Sequence, residues 1–413
     1  MALLSWTIQN FKSFRDPATL LFTRKGELKP DADPLKTAAL FGTNGSGKSN
    51  FLASFRVVAG AAKGEGKEGA LAEPFLLDSV SRRKPSRFEG VLTLPGLPGF
   101  WRYSIELSQG AGAPVSETLE TSSDGETWVL VFHRDRTGAK FPGLAPEEAK
   151  PLEDAAGAGA AVLSLASRTA NPALRALQDF FRSMRVCSDE MPLDDAFTLP
   201  KDFFHRKEER ESLTRYLSAM DSGVFSLMLK RGTGSVLSRL LVMRRAPDGK
   251  LYSLPIACES AGIRKMLTLY ATLQETLRNG GFAAVDGLNS GLHPGIVRAI
   301  FALFANPESN PKDAQLLFIS HDATGLQEKS LESREVWFAK KDPCGCSSLV
   351  RLTDLGKKAA KKAGVKREKA YLDGTFIPVP DRDAFFGLSG IETISLVTAG
   401  KKKEKGKGKK KDK

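Results

Sequence analysis

Residues 42–49 of the chain read GTNGSGKS and match the pattern GxxxxGK[ST] at every position. An apolar segment at 36–41 precedes this octamer, and a helical pattern from about residue 48 to residue 61 follows it. A strand, a glycine-rich loop and a helix in this order form the context that a phosphate-binding loop requires. The stretch therefore predicts an α/β fold built around a P-loop.

The residue types of the octamer suit a nucleotide. Its three glycines let successive backbone N–H groups turn inward around a phosphate, and the helix N-terminus adds partial positive charge. Lys48 is expected to reach the β- and γ-phosphate oxygens, and the Ser49 hydroxyl is expected to bind Mg²⁺. ATP and Mg²⁺ are thus the predicted cofactors, and the nucleotide-binding residues predicted here are Gly42, Asn44, Gly45, Ser46, Gly47, Lys48, Ser49 and Asn50.

Three further segments carry polar groups at the ends of predicted elements. Residues 282–286 read FAAVD, an apolar strand whose last residue, Asp286, is the expected second Mg²⁺ ligand. Ser260 and Gly262 open a long helix, where a hydroxyl and free amides suit an anion. Residues 315–320 form another predicted strand, and His321 follows it directly. The alternatives are that Asp286 is an ordinary strand-end residue and that His321 is a capping or solvent-facing residue.

Composition limits the class of protein. A chain of 413 residues with 41% hydrophobic content can bury a large core and form two or three subdomains. Neither a signal peptide nor an apolar run of about 20 residues is present, so we expect a cytoplasmic protein without a membrane partner. The four cysteines lack the spacing of a zinc site, and reduced thiols are expected.

The positive charge is concentrated near the C-terminus. Residues 356–370 and 401–413 together account for the whole net charge of +13, so the remaining body is formally neutral. The last thirteen residues are almost entirely Lys and Gly, a composition typical of disorder. Such a tail either adds non-specific affinity for nucleic-acid phosphates or only increases solubility, and the sequence leaves both open.

The motifs together resemble the ABC-type ATPase heads of the SMC, RecF and OLD group. More narrowly, they resemble stand-alone AAA-family ATPases related to RloA. The resemblance runs from SWTIQNFKSF at 5–14 to KAYLDGTFIP at 369–378 and covers nearly the whole body. It implies an α/β P-loop NTPase of ABC-ATPase head type, with an antiparallel β subdomain and a helical insertion between the two halves of the nucleotide-binding core.

Family membership would give the flanking segments specific roles. Ser260 and Gly262 match the signature motif, which binds the γ-phosphate held by a second protomer. His321 resembles the switch histidine that senses the same phosphate, while Lys12 and Ser13 lie where the family lines the base and sugar. The resemblance therefore implies ATP sandwiched in a head-to-tail dimer, or a higher oligomer, with Lys48, Asp286 and His321 as catalytic residues.

The resemblance also predicts the division of the chain. The expected regions are an N-terminal half of the ATPase core with the P-loop (1–62), an antiparallel β subdomain (63–145) and a helical insertion (146–235). A C-terminal half with the signature, the Mg²⁺-binding strand and the switch histidine (236–355) follows, then a basic segment (356–400) and a disordered tail (401–413). The chain has no room for the Toprim nuclease of OLD proteins, so any effector is expected to act in trans.

Two positions depart from the family pattern. The family carries glutamate after the Mg²⁺-binding aspartate, whereas this chain has Gly287; Asn289 likewise replaces an acid. A missing general base lowers the rate by about 10²–10⁴-fold. We therefore expect ATP binding, ATP-dependent association and weakened ATPase activity.

Three functions fit this sequence. The first is an ATP-gated sensor or scaffold of a bacterial anti-phage defence system with a separately encoded effector, for which a nuclease is the leading candidate. The second is a DNA-maintenance ATPase of RecF or SMC type. The third is a scaffold that binds ATP without hydrolysing it.

Overall fold

The computed structural model describes residues 1–24, 33–64, 72–109, 114–156, 160–188, 206–230, 239–289, 291–320, 322–327, 331–361 and 365–379. Within them the strands are β1 Ala2–Gln9, β2 Ala18–Leu21, β3 Thr37–Phe41, β4 Ser86–Thr93, β5 Phe100–Leu107, β6 Pro114–Ser122, β7 Val129–Asp135, β8 Gly138–Lys140, β9 Arg185–Cys187, β10 Val224–Lys230, β11 Arg239–Arg245, β12 Leu251–Pro255, β13 Phe282–Asp286, β14 Gln315–Ser320, β15 Val336–Lys341 and β16 Ser347–Arg351. The α-helices are α1 Lys48–Lys63, α2 Pro146–Ala156, α3 Pro172–Ser183, α4 Lys207–Met220, α5 Ala261–Asn279, α6 Pro294–Ala305, α7 Lys357–Ala360 and α8 Val365–Leu372.

The core sheet has the strand order β16-β15-β3-β14-β13-β9. β3 pairs in parallel with β14 and β15, and β13 pairs in parallel with β14 and β9. Its central strands are buried on both faces, which explains their continuous apolar sequences. Because parallel strands end at the same edge, the loop after β3 and the ends of β13 and β14 lie together there, with β14 between the other two.

A second, antiparallel sheet has the order β2-β1-β4-β5-β6-β7-β8. The sequence placed β1 and β2 in the region 1–62 with the P-loop. In the structure β1 pairs with β2 on one side and with β4 of the antiparallel sheet on the other. The pairing of β1 with β4 joins residues far apart in the chain, which local periodicity does not record.

Helix α1 lies between the two sheets. The ring of Phe55 stacks on Trp6 of β1 at 4.6 Å and contacts Phe282 of β13 at 5.1 Å between ring centroids. The indole nitrogen of Trp6 also donates to the Ser54 hydroxyl at 2.8 Å. The helix that begins in the P-loop is therefore fixed from both sides by aromatic packing.

A buried glutamine joins the two sheets directly. The Gln315 Oε1 accepts a hydrogen bond from the backbone N–H of Leu3, and its Nε2 donates to the carbonyls of Leu3 and Leu35. These contacts tie the first residue of β14 to β1. The strand next to the P-loop strand is thus held in register with the antiparallel sheet.

The region predicted as a helical insertion contains α2, α3 and α4, but it also contains two strands. β9 is three residues long and pairs with β13, so it is too short to show a strand pattern in the sequence. β10 pairs with β11, and β11 pairs with β12, in a separate three-stranded antiparallel sheet. The bounds of the six predicted regions stay predictions.

Candidate functional site

The loop at 42–49 depends on glycine for its shape. Gly45 and Gly47 have φ values of 75° and 105°, in the left-handed region that favours glycine. A Cβ on Gly42 would lie 2.6 Å from the Ala339 carbonyl oxygen, and one on Gly47 would lie 2.5 Å from the Ser347 Oγ. The backbone therefore passes close to β15 and β16 before it enters α1.

The Lys48 side chain folds back over this loop. Its Nζ donates to the carbonyl oxygens of Gly42 at 2.7 Å and Thr43 at 2.8 Å. Only 7% of the residue is exposed, and this burial lowers the pKa of Lys48 to about 8 although Asp286 opposes the shift. The ammonium thus lies in a site where carbonyl oxygens have replaced water, and a polyanion would stabilise its charge.

The two predicted Mg²⁺ ligands lie in contact. The Ser49 hydroxyl in the first turn of α1 donates to the Asp286 Oδ2 at 2.8 Å, although the two residues are 237 positions apart. A hydroxyl and a carboxylate at this separation fit Mg²⁺, which keeps several waters and completes its shell with phosphate oxygens. The pair lies beside Lys48, so a metal held here would be next to any phosphate that the lysine bound.

The remaining loop residues have distinct places. Asn44 is exposed, whereas the Ser46 hydroxyl is buried and has no hydrogen-bond partner among the described residues. The Asn50 Nδ2 donates to the Ser13 Oγ at 2.8 Å, and the Ser347 hydroxyl bonds the same oxygen at 2.8 Å. Ser13 is therefore joined to α1 and to β16.

Lys12 lies on the turn between β1 and β2. Its φ is 51°, its N–H donates to the Glu73 carbonyl at 2.8 Å, and its Nζ lies 3.6 Å from the Glu73 carboxylate. The ammonium is partly exposed. It is available for a ligand at the cost of a weak, solvent-screened ion pair.

The predicted signature segment begins α5. The Ser260 hydroxyl accepts a hydrogen bond from the Ile263 N–H at 3.3 Å and thereby caps the helix. Ser260 is exposed, and a Cβ on Gly262 would lie 2.8 Å from the Gly291 carbonyl oxygen. The segment therefore packs against the turn that follows β13 while presenting its hydroxyl to solvent.

Gly287 adopts a conformation that glutamate avoids. Its φ is 65°, its N–H donates to the Ile319 carbonyl at 2.9 Å, and its own carbonyl accepts from the Lys265 ammonium. A side chain in this left-handed conformation costs about 1–2 kcal/mol. The backbone of Gly287 is thus hydrogen-bonded to both β14 and α5. Sequence reasoning missed this role, because a residue's type does not indicate the partners of its backbone hydrogen bonds.

Asn289 belongs to a polar network at the ends of β13 and β14. Its Nδ2 donates to the Asp322 Oδ2 at 2.9 Å, and its Oδ1 accepts from the Ser320 hydroxyl at 2.8 Å. The N–H and hydroxyl of Thr324 also donate to the Asp322 carboxylate. An aspartate at 289 would bring two carboxylates into contact, which explains the amide. The predicted switch residue His321 lies outside the described residues.

Sequence comparison provides the family. Residues 38–326 match the model of the family described as "AAA domain, putative AbiEii toxin, Type IV TA system". The chain belongs to this AAA-domain family. The matched range contains the P-loop, Asp286 and the network around Asn289. The expectation of an AAA-family head with an α/β P-loop ATPase fold is thereby confirmed.

Two other comparisons complete this result. None of the curated proteins compared with the AAA-domain protein matches it significantly. Among solved structures, it is similar to the SMC head domain from Thermotoga maritima, with 16% sequence identity and a TM-score of 0.42, over 85% of this chain and 99% of that one. Within the described residues, every helix is too short or too polar to cross a membrane.

Burial of Lys48 predicts a pH dependence that a Lys48→Met variant removes. The pKa falls from 10.5 to about 8 on folding, so the folded protein binds fewer protons between these values. Its stability should therefore rise from pH 8 to 10.5, by on the order of 3 kcal/mol in total. In Lys48→Met this rise with pH should be lost. Urea unfolding without nucleotide, repeated across this pH range, measures the slope in both proteins.

The control is Lys150→Met, which removes an exposed lysine of α2 and should leave the pH slope of the wild type unchanged. An equal slope in Lys48→Met and wild-type protein would contradict the buried, depressed ammonium.

Proposed function

We propose that the AAA-domain protein binds ATP with Mg²⁺ at the loop 42–49. The observation that carries this proposal is the position of Lys48, whose buried ammonium contacts the carbonyls of Gly42 and Thr43. Phosphate oxygens are stronger acceptors for this charge than carbonyl oxygens. On ATP binding Lys48 would turn to the β- and γ-phosphates, and the N–H groups of the loop would surround them.

Ser49 and Asp286 would hold Mg²⁺. The metal supplies positive charge that offsets the charge of the phosphates. In the structure the Ser49 hydroxyl points to the Asp286 carboxylate, and the same oxygens would turn to the ion. Lys12 would then lie at the edge of the site, next to the nucleotide's base and sugar.

The proposal includes a head-to-tail dimer around ATP. Ser260 is exposed at the N-terminus of α5, where its hydroxyl and the first N–H groups of the helix favour an anion. The proposed occupant is the γ-phosphate of ATP bound to a second copy. This arrangement would place two equivalent sites in the interface, a closed twofold assembly.

Hydrolysis in this dimer is proposed to be slow. Gly287 offers no carboxylate next to Asp286, and its left-handed backbone opposes glutamate. The carboxylate of Asp322 does not replace it, because Asn289 and Thr324 already donate to both of its oxygens. ATP would therefore hold the dimer together for long periods rather than drive rapid cycles.

The biological role we propose is a nucleotide-gated sensor or scaffold in a bacterial defence system with a separately encoded effector. The description of the family, which names a toxin of a type IV toxin–antitoxin system, supports a role in such a system. A nuclease remains the leading candidate for the effector. The non-hydrolysing scaffold is the second candidate, favoured by the conformation of Gly287.

ATP-dependent association can be measured by light scattering coupled to size-exclusion chromatography. We expect the mass to double when ATP and Mg²⁺ are present. Lys48→Ala should lose nucleotide binding and remain a monomer. Ser260→Arg should bind nucleotide and remain a monomer, whereas Ser253→Arg, on the exposed strand β12, should dimerise. A mass that does not change when ATP is added, or dimerisation of Ser260→Arg, would exclude the proposed head-to-tail dimer around ATP.

Single-turnover hydrolysis tests the role of Gly287. We expect the wild type to hydrolyse ATP about 10²–10⁴-fold more slowly than a site with a general base. Gly287→Ala and Gly287→Glu should both lose about 1–2 kcal/mol of stability through backbone strain. Gly287→Glu should hydrolyse ATP faster than Gly287→Ala, because both variants strain the backbone but only glutamate adds a carboxylate. Equal rates in the wild type and Gly287→Glu, both fast, would refute the proposal.

A further inference from the structure

Arg244 of β11 connects three parts of the chain next to the proposed signature segment. Its Nε donates to the Glu259 Oε1 at 2.9 Å, and its Nη2 donates to the Glu259 Oε2 at 2.5 Å. The same Nη2 donates to the Asp221 Oδ2 at 2.8 Å. Asp221 directly follows α4, and Glu259 directly precedes Ser260. One guanidinium therefore joins the end of α4, the three-stranded sheet and the start of α5.

The carboxylate of Glu259 is buried and depends on this arginine. Only 1% of the Glu259 side chain is exposed, compared with 25% of the Arg244 side chain. Within the described part of the chain, Arg244 is the only side chain that donates to the two carboxylate oxygens of Glu259. A buried carboxylate without a donor is strongly unfavourable, so Glu259 has to stay where the guanidinium reaches it. The paired hydrogen bonds also fix the direction of the carboxylate.

The backbone leaves Glu259 little freedom to move independently of Ser260. The 3₁₀ turn Ile256–Cys258 ends directly before Glu259, whose N–H donates to the Ile256 carbonyl at 2.9 Å. Ser260 follows as the cap of α5, and its carbonyl accepts a hydrogen bond from the Arg264 N–H at 3.0 Å. Glu259 is thus the single residue between the turn and the helix cap. Its anchored side chain therefore fixes the position from which Ser260 presents its hydroxyl to solvent.

β11 places Arg244 and the next residue, Arg245, on opposite faces of the three-stranded sheet. Val242, on the same face as Arg244, belongs to one buried cluster with Ile263 of α5. Arg245 is exposed, and its guanidinium lies over the Phe225 ring at 5.2 Å from the centroid. Arg245 is therefore a matched control, an arginine of the same strand that does not face α5.

We propose that Arg244 is a positioning residue of the proposed dimer, and that its bonds to Glu259 hold Ser260 where it meets the γ-phosphate of the second copy. The inference rests on the proposed function, because Ser260 has this role only if ATP is enclosed between two copies. Arg244 acts through Glu259 and not on the nucleotide itself. Loss of its paired bonds should therefore weaken dimerisation and leave the binding of ATP to a single copy unchanged.

The expected size of the effect follows from the symmetry of the dimer. Without the paired bonds, Ser260 would sample several positions, and the apparent affinity would fall by the fraction of copies that are competent. One lost hydrogen bond lowers this fraction about 3- to 10-fold. A twofold dimer uses Ser260 at two equivalent sites, so its dissociation constant should rise by the square of this factor, about 10- to 100-fold.

Arg244→Lys keeps the positive charge and removes the planar fork that makes the paired bonds. We expect its dimer dissociation constant with saturating ATP and Mg²⁺ to rise about 10- to 100-fold, as measured by light scattering across a protein dilution series. Titration with a fluorescent ATP analogue, at protein concentrations too low for dimerisation, should give the affinity of the wild type. Arg245→Lys should dimerise as the wild type does.

A second variant separates positioning from stability. Arg244→Met combined with Glu259→Gln removes both charges, so neither is left buried without its partner and the fold should be retained. We expect thermal unfolding close to that of the wild type, with dimerisation weakened as in Arg244→Lys. Dimerisation equal to that of the wild type in either folded variant would refute the positioning role.

The outcomes distinguish this inference from the proposed function. If the wild type dimerises with ATP and Ser260→Arg does not, the proposed dimer stands. Unchanged dimerisation of Arg244→Lys would then refute only the role of Arg244. Weakened ATP binding by the Arg244→Lys monomer would also overturn that role, because the arginine would then act within one copy. Absence of ATP-dependent dimerisation in the wild type would refute both.

Discussion

The structure of the site depends on the charge of one buried lysine. The Lys48 ammonium lies inside the loop 42–49 and contacts two of its carbonyls, at the edge where the core strands end. The loop needs glycine at positions 42 and 47, because a Cβ on Gly42 or Gly47 would clash with β15 or β16. A charge held in this way is poorly solvated, and a bound anion would stabilise it. The packing of α1 between two sheets holds the lysine in place.

Sequence reasoning identified the parts of the site that are local in the chain. The octamer, the strand ending in Asp286 and the helix after Ser260 were predicted, and the structure places Ser49 and Asp286 in contact. Sequence reasoning did not identify contacts between distant residues, such as Ser347 beside Gly47 or Gln315 beside Leu3. Periodicity reports which face of an element is buried, but not the partner that buries it. Short elements such as β9 carry too few residues to show a period.

The departure at Gly287 is structural as well as chemical. From the sequence it is a missing carboxylate, whereas the structure shows a left-handed residue that connects Ile319 and Lys265. Asn289 similarly complements the carboxylate of Asp322. Both differences from the family pattern fit a site that would hold nucleotide. Slow hydrolysis would make the occupied state long-lived, which suits a sensor.

The central claim is that ATP is enclosed between two copies of the chain at the loop 42–49. A structure determined with Mg²⁺ and a non-hydrolysable ATP analogue tests this most directly. It should show Lys48 turned from the Gly42 and Thr43 carbonyls to the phosphates, the metal between Ser49 and Asp286, and the γ-phosphate against Ser260 of the second copy. Nucleotide bound away from the loop, or enclosed by a single copy alone, would contradict the account.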